Sequence, residues 1–392
     1  MKPYSIIIPV SSLFSICLAY PGPNCPSFGC SLLPRDVAYD DKARAALKHI
    51  RAELPGTLFN QAMIELETSG DEDKATMTLI GFKGGALEDQ INQDRAFVLS
   101  PFDLVEGQNC QMLGVFDGHG EMGEIVASYA VKELPKRLKE KIGNLNGEVN
   151  DEFIQKALID SFIEIDRDVP TKGVGGCTGS VTLQIGSKMF IANAGDSRSV
   201  VAIYIEKTDV VKLIYVTRED KPHLEDERTR IESMGGRVYV PPDLKVESSR
   251  VLSASSGSAL AMSRSIGDWE MIGAIAEPIV KIIDISAVIK AEIEEANAGC
   301  SEDEEYCPGS IKAEHISIFA VSATDGMMDY IEPEHLAGAF ATTFYRTTGP
   351  HPLVMCEDLI LIAAKGWYDE MGGQYRDDIA VAAARIKVEG KV

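Results

Sequence analysis

Beyond its first twenty residues, the 392-residue sequence has no run approaching the ~18–20 continuous apolar residues of a membrane span. Basic residues are scarce: 38 Lys and Arg stand against 60 Asp and Glu, a net charge of −22. Duplex affinity depends on cationic groups that displace counterions, so a nucleic-acid-binding role is not expected. Eight cysteines are too few for a disulfide scaffold in a chain this long. Cys25 lies near Cys30 and Cys300 near Cys307, but no second Cys or His cluster follows at zinc-finger spacing. Structural zinc is therefore not expected, and reduced, isolated thiols are. Gly84-Gly85 and Gly235-Gly236 lack the Lys-Ser/Thr of a P-loop and read as turns or helix stops.

What is present is a globular composition with 45% apolar residues, which excludes global disorder and fibrous architectures. The acidity suits a chain that holds divalent cations or meets basic partners. Lys2 precedes a mostly apolar stretch, Ile6 to Tyr20, broken by Pro9, Ser11, Ser12 and Ser15. Residues 1–20 thus read as a targeting segment or as an apolar tail packed on the domain. The first reading implies organellar or secretory routing and the second the cytoplasm or nucleus, which we take as the expectation. Residues 21–74 form an N-terminal extension: a Pro-, Gly-, Ser- and Cys-rich linker to Pro34, then helical spacing over Asp41–Leu54.

From Ala75 the pattern becomes short apolar runs bounded by turn residues. Strands are predicted at Ala75–Phe82, Ala96–Leu99, Met112–Phe116, Val181–Ile185, Met189–Ala192, Val200–Ile205, Leu213–Val216, Ile279–Ile285, Ile316–Ala323 and Ile379–Ile386. Helices are predicted at Glu124–Lys141, Asp151–Asp168, Pro222–Met234, Pro333–Phe344 and Pro352–Lys365. Strands follow one another in pairs, which favours an α+β fold of packed antiparallel sheets with helices outside. Ala291–Cys307 holds seven acidic residues and no strand pattern, and reads as a solvated insertion loop.

The chemistry-bearing feature is a set of aspartates, each at the end of an apolar strand and beside a small residue: Asp117, Asp196, Asp325 with Asp329, and Asp377. A strand fixes its terminal side chain, and glycine lets a backbone carbonyl approach an ion. Carboxylates and carbonyls are the ligands that hard divalent cations prefer. Taken singly, an Asp-Gly pair is a turn; four such sites in one chain suggest a shared metal cluster.

Eight segments occur in an order that makes them recognisable. They are LGVFDGHG at Leu113–Gly120, GCTGSVTL at Gly176–Leu183, ANAGDSRSV at Ala192–Val200, TREDKP at Thr217–Pro222, RTRIESMGGRV at Arg228–Val238, LAMSRSIGD at Leu260–Asp268, SATDGMMD at Ser322–Asp329 and RDDIAV at Arg376–Val381. In these, the chain resembles the metal-dependent PPM (type 2C) protein serine/threonine phosphatases, over a domain spanning 75–388 with the acidic insert at 291–307. The resemblance implies an α-β-β-α sandwich: two packed antiparallel β-sheets flanked by α-helices. It implies hydrolysis of phosphoserine and phosphothreonine in proteins by a hydroxide bridging two manganese or magnesium ions, with a third ion in some relatives. Asp117 would bridge the ions, the Gly118 carbonyl would bind one, and Asp325 and Asp377 the other. Asp196 and Asp329 match third-ion positions. His119 matches the proposed general acid.

Two departures stand out. Where relatives often carry Asn-Glu-Asp, this chain has Asn92-Gln93-Asp94, so Gln93 would be a neutral ligand with Asp94 acting through water. The basic residue usual just ahead of that motif is replaced by Glu88-Asp89-Gln90, leaving Lys83 or Arg95 to grip the phosphate. The alternative function is a weakly active or inactive phosphatase-like module that binds phosphoproteins. Phosphorylated proteins are the expected partners, and the chain is expected to act as a monomer.

Overall fold

The computed structural model describes residues 7–9, 68–86, 89–143, 150–245, 247–298, 310–346 and 349–387. Most of the segments 1–20 and 21–74 lies outside the described residues, as do both close cysteine pairs and the predicted helix over Asp41–Leu54.

The apolar strands are buried on both faces, and their alternation builds three layers of core. In Ile316–Ala323, Ile316, Ile318 and Ala320 point one way, and Phe319, Val321 and Ala323 the other. The first set meets Leu113, Val115, Met189, Ile191, Val201 and Ile203 between two sheets. The second packs on helices Pro333–Tyr345 and Pro352–Met371 through Leu336, Phe340, Leu359 and Trp367. The other sheet turns Met112, Phe116, Leu183 and Phe190 toward helices Gly123–Ile142 and Asp151–Asp168. The result is the expected α-β-β-α sandwich.

One sheet has seven strands in the order Ile7–Pro9, Val210–Val216, Arg198–Ile205, Ile316–Ala323, Ile379–Ile386, Lys74–Leu79, Thr68–Asp71. The other has five: Ile279–Asp284, Lys188–Ala194, Gly179–Ile185, Cys110–Phe116 and Arg95–Leu99. Every pairing in both is antiparallel. Because neighbours run in opposite directions, the start of Ile379–Ile386 and of Arg198–Ile205 lies beside the end of Ile316–Ala323. The aspartates that punctuate these strands are thereby collected at one end of the sandwich.

Two small sheets sit at that end. Gly118–His119, Gly176–Cys177 and Ile266–Gly267 form one; Arg237–Tyr239, Arg250–Leu252 and Ala259–Leu260 form the other, beside helix Glu225–Ser233. Buried Glu227 joins this helix to the loop at 263–264, bonding Arg264 at 2.7 Å and the Ser263 hydroxyl at 2.6 Å.

The acidic stretch differs from its reading as a loop. Ala291–Asn297 is the end of a helix, Ile285–Asn297, whose Ile285 and Ile289 are buried; residues 299–307 of the stretch lie outside the described residues. Glu292 is itself buried, because Lys212 of the neighbouring strand meets it at 2.6 Å. Among the described residues no helix is long and apolar enough to cross a membrane.

Candidate active site

The site is built from strand ends. Asp117 follows Cys110–Phe116, and its N–H donates to the Thr178 hydroxyl at 3.0 Å. Thr178 continues into a hydroxyl contact with Ser197 at 2.6 Å, which ties the loop carrying Asp196 to the same strand end. Thr324, just beyond Ile316–Ala323, donates its hydroxyl to Asp94 at 2.8 Å and accepts from the Ala380 N–H at 2.8 Å. Trp367 braces the turn that follows, its indole donating to the Gly326 carbonyl at 2.8 Å. Gly118 must be glycine: a Cβ there would come within 2.6 Å of the Gln93 and Gly123 carbonyl oxygens.

Asp117, Asp94, Asp325, Asp377 and Asp378 therefore crowd together, and burial with like charge perturbs them. Burial, then the carboxylates of Asp94, Asp325 and Asp377, pushes Asp117 well above the ordinary range. Asp94 is likewise raised by burial, Asp378 and Asp377. Asp325 is pushed up to about 8 by burial and by Asp196, Asp377 and Asp329. Asp196 goes the other way: although burial opposes ionisation, Lys221 at 2.7 Å holds it below its ordinary value. Asp329 lies exposed at the rim.

Lys83 reaches this cluster and Arg95 does not. The Lys83 ammonium lies 2.9 Å from Asp377 and 3.0 Å from Asp378. It gets there because Phe82 pairs with Arg376 in a two-way backbone bridge, which sets the next residue beside the aspartates. Arg95 spends its guanidinium on the Asn92 and Asp94 carbonyls and the Ser128 hydroxyl. Gln93 turns its side chain to the Gly120 carbonyl at 2.9 Å and Glu124 at 3.2 Å, while its N–H donates to Asp378. Glu88 lies outside the described residues.

His119 stands in the short strand next to Gly118. Its Nε2 is 2.6 Å from the Asp268 carboxylate, and its buried Nδ1 has no hydrogen-bond partner among the described residues. Burial alone would lower its pKa; Asp268 outweighs that and raises it. Three residues with a place here were given no role from the sequence. Asp378 accepts from the Gly81 N–H at 2.6 Å and from Lys83, Lys221 pairs with Asp196, and Asp268 pairs with His119. All three lie inside the recognised segments, so the signal was the segment and not the spacing.

Among the described residues no three acidic, His or Cys side chains are already closed into a cation cage. The donor set nevertheless fits hard divalent cations. One buried oxygen each of Asp94, Asp196 and Asp325 has no hydrogen-bond partner among the described residues, and burial with like charge keeps Asp94, Asp117 and Asp325 raised despite the nearby lysines. Lys83 and Lys221 supply the countercharge present.

The model of the family described as protein phosphatase 2C matches residues 94–364. The chain is similar to the Arabidopsis thaliana sequences described as probable protein phosphatase 2C 41 and 72. The first is 31% identical over 209 residues, 49% of this chain and 59% of that one. The second is 33% identical over 202 residues, 48% of this chain and 59% of that one. The chain thus spans 59% of the length of each of these curated relatives. A solved serine-threonine phosphatase 2C from Toxoplasma gondii shares the fold, with a TM-score of 0.56 and 17% identity over 82% of this chain and 98% of that one. A C. elegans sex determining protein does so with a TM-score of 0.54 and 20% identity, covering 89% of this chain and 72% of that one.

Proposed function

The chain belongs to the protein phosphatase 2C family, and from that premise we propose that it hydrolyses phosphoserine and phosphothreonine in proteins, with manganese or magnesium bound at the aspartate cleft. The observation that carries this reading is the buried group of Asp117, Asp94 and Asp325, all driven toward protonation in the absence of a cation. Asp117, Asp325 and Asp377, with the Gly118 carbonyl, would hold two ions. When bound, such cations make a water acidic enough to attack near neutral pH and neutralise the phosphate oxygens. The Lys221 ammonium already stands against Asp196, where a third ion would compete with it.

The protein's own groups supply the rest. Lys83, drawn to the cluster by Asp377 and Asp378, offers a charge-assisted hydrogen bond to a phosphate oxygen. Asp268 outweighs burial and raises the His119 pKa, which favours the imidazolium, and a protonated imidazole can donate to the departing alcohol oxygen.

The test is phosphate release from a phosphothreonine peptide with chelator, magnesium or manganese. Release only with metal is expected. No release at millimolar manganese from folded protein would favour a module that binds phosphoproteins without cleaving them. Lys83→Met should raise KM for the peptide about tenfold, the worth of one such hydrogen bond, with kcat within about threefold. An unchanged KM would remove Lys83 from the phosphate site.

A further inference from the structure

Asp268 closes the segment Leu260–Asp268 and has no role in the reaction as set out above beyond its charge. We propose that it is a positioning residue for His119: its carboxylate takes Nε2 and fixes the ring so that Nδ1 is the nitrogen facing the leaving group. This rests on His119 acting as the general acid.

The geometry carries the assignment. His119 and Asp268 come together because Gly118–His119 and Ile266–Gly267 both pair with Gly176–Cys177. Gly176 lies between them, and a Cβ there would fall 2.1 Å from the Asp268 carboxylate and 2.9 Å from His119 Nε2. The pair therefore fills the space that a side chain at 176 would need. Asp268 is buried and its φ of 54° lies in the left-handed region, a conformation costly for most residues and tolerated by Asp and Asn.

Surrounding groups hold it there. Its N–H donates to the Gly175 carbonyl at 2.9 Å, and the Trp269 N–H to Gly173 at 3.2 Å. From helix Asp151–Asp168, Asp166 accepts the Gly267 N–H at 2.7 Å and the Trp269 indole at 3.0 Å. Among the described residues the one side-chain partner of the Asp268 carboxylate is His119. A purely structural pair would satisfy both ring nitrogens, yet Nδ1 is buried without a partner. Nδ1 is thus the ring nitrogen left to donate to a leaving oxygen.

In the step, water forms the new bond to phosphorus and the bond to the seryl or threonyl oxygen breaks. That oxygen keeps the electron pair and takes the proton from Nδ1, giving the free alcohol. The proton shed by the attacking water passes to solvent, from which His119 is recharged.

The test compares Asp268→Asn, Asp268→Gly and His119→Ala in the full-length, manganese-loaded chain, on p-nitrophenyl phosphate and on an alkyl phosphate. Asn and Gly both accept the left-handed backbone, so the loss of fold in one variant leaves the other to be read. Each Asp268 variant is expected to lose about 30-fold more turnover on the alkyl substrate than on the aryl one, within the range of a displaced general acid. The double variant His119→Ala with Asp268→Asn should be no worse than His119→Ala alone. Equal losses on the two substrates, or additive losses in the double variant, would make Asp268 merely structural. If His119→Ala discriminates between substrates and the Asp268 variants do not, the positioning role alone falls. If His119→Ala itself fails to discriminate, the general-acid assignment falls, and the Asp268 role with it.

Discussion

Asp325→Asn is expected to lower turnover about 10³-fold while raising the melting temperature of the chelated protein. The first effect follows from losing a charged cation ligand: charge stabilisation by bound metal is worth several kcal/mol, and roughly 1.4 kcal/mol is a factor of ten in rate. The second follows from the same carboxylate in the absence of metal. Asp325 is pushed up to about 8 by burial and by neighbouring Asp196, Asp377 and Asp329, so at neutral pH the folded chain keeps it protonated or tolerates the repulsion. Asparagine removes that cost and fits the same space, for a gain on the order of 5 °C. Opposite signs in the two assays are the signature of a site strained for function. Destabilisation in chelator would show that Asp325 is held by favourable contacts instead.

The second large effect is the pH dependence of the metal-free fold. A carboxyl with a folded-state pKa above its unfolded value binds more protons in the native state, so stability falls as pH rises between the two values. For Asp325 that window runs from about 3.8 to about 8. Asp117 and Asp94, raised by burial and by each other's neighbours, act in the same direction. His119, raised by Asp268, also does: its contribution is present below the unfolded value and lost as pH climbs through the folded one. Asp196 is depressed by Lys221 and changes only at more acid pH. Chelated protein should therefore melt lower at pH 8 than at pH 5, with up to roughly 4 kcal/mol of stability lost from Asp325 alone. Asp325→Asn should flatten the slope. A melting temperature that is flat or rises with pH in wild-type protein would contradict the electrostatic description of the cleft.

Much of the fold was legible because its strands are buried on both faces. Ile316–Ala323 and Ile379–Ile386 appear as uninterrupted apolar runs, and Asp151–Asp168 alternates with helical period between an asparagine cap and Val169. Helix Ile285–Asn297 was hidden because its first residues continue a strand's apolar run and its last coincide with an acidic stretch. Nothing local announces that Lys212, 80 residues away in sequence, buries Glu292. The strand-end aspartates were legible as candidates because each terminates an apolar run. Which of them meet is a property of the antiparallel register. Lys83 is the clearest case: Asp377 is almost three hundred residues away, and the backbone bridge between Phe82 and Arg376 brings them together. Asp268 carries no periodic signal, since its position depends on a two-residue pairing with Gly176 and Cys177 and on a left-handed φ.

The most direct measurement is a calorimetric titration of manganese into the chelator-stripped protein at neutral pH, repeated in buffers of different ionisation enthalpy. Ligating carboxylates must be deprotonated, so raised carboxyls release protons when a cation binds. The account predicts saturable binding with net proton release, and loss of both in Asp325→Asn. Binding without proton release, or undiminished binding in that variant, would show that the buried aspartates are not the cation site.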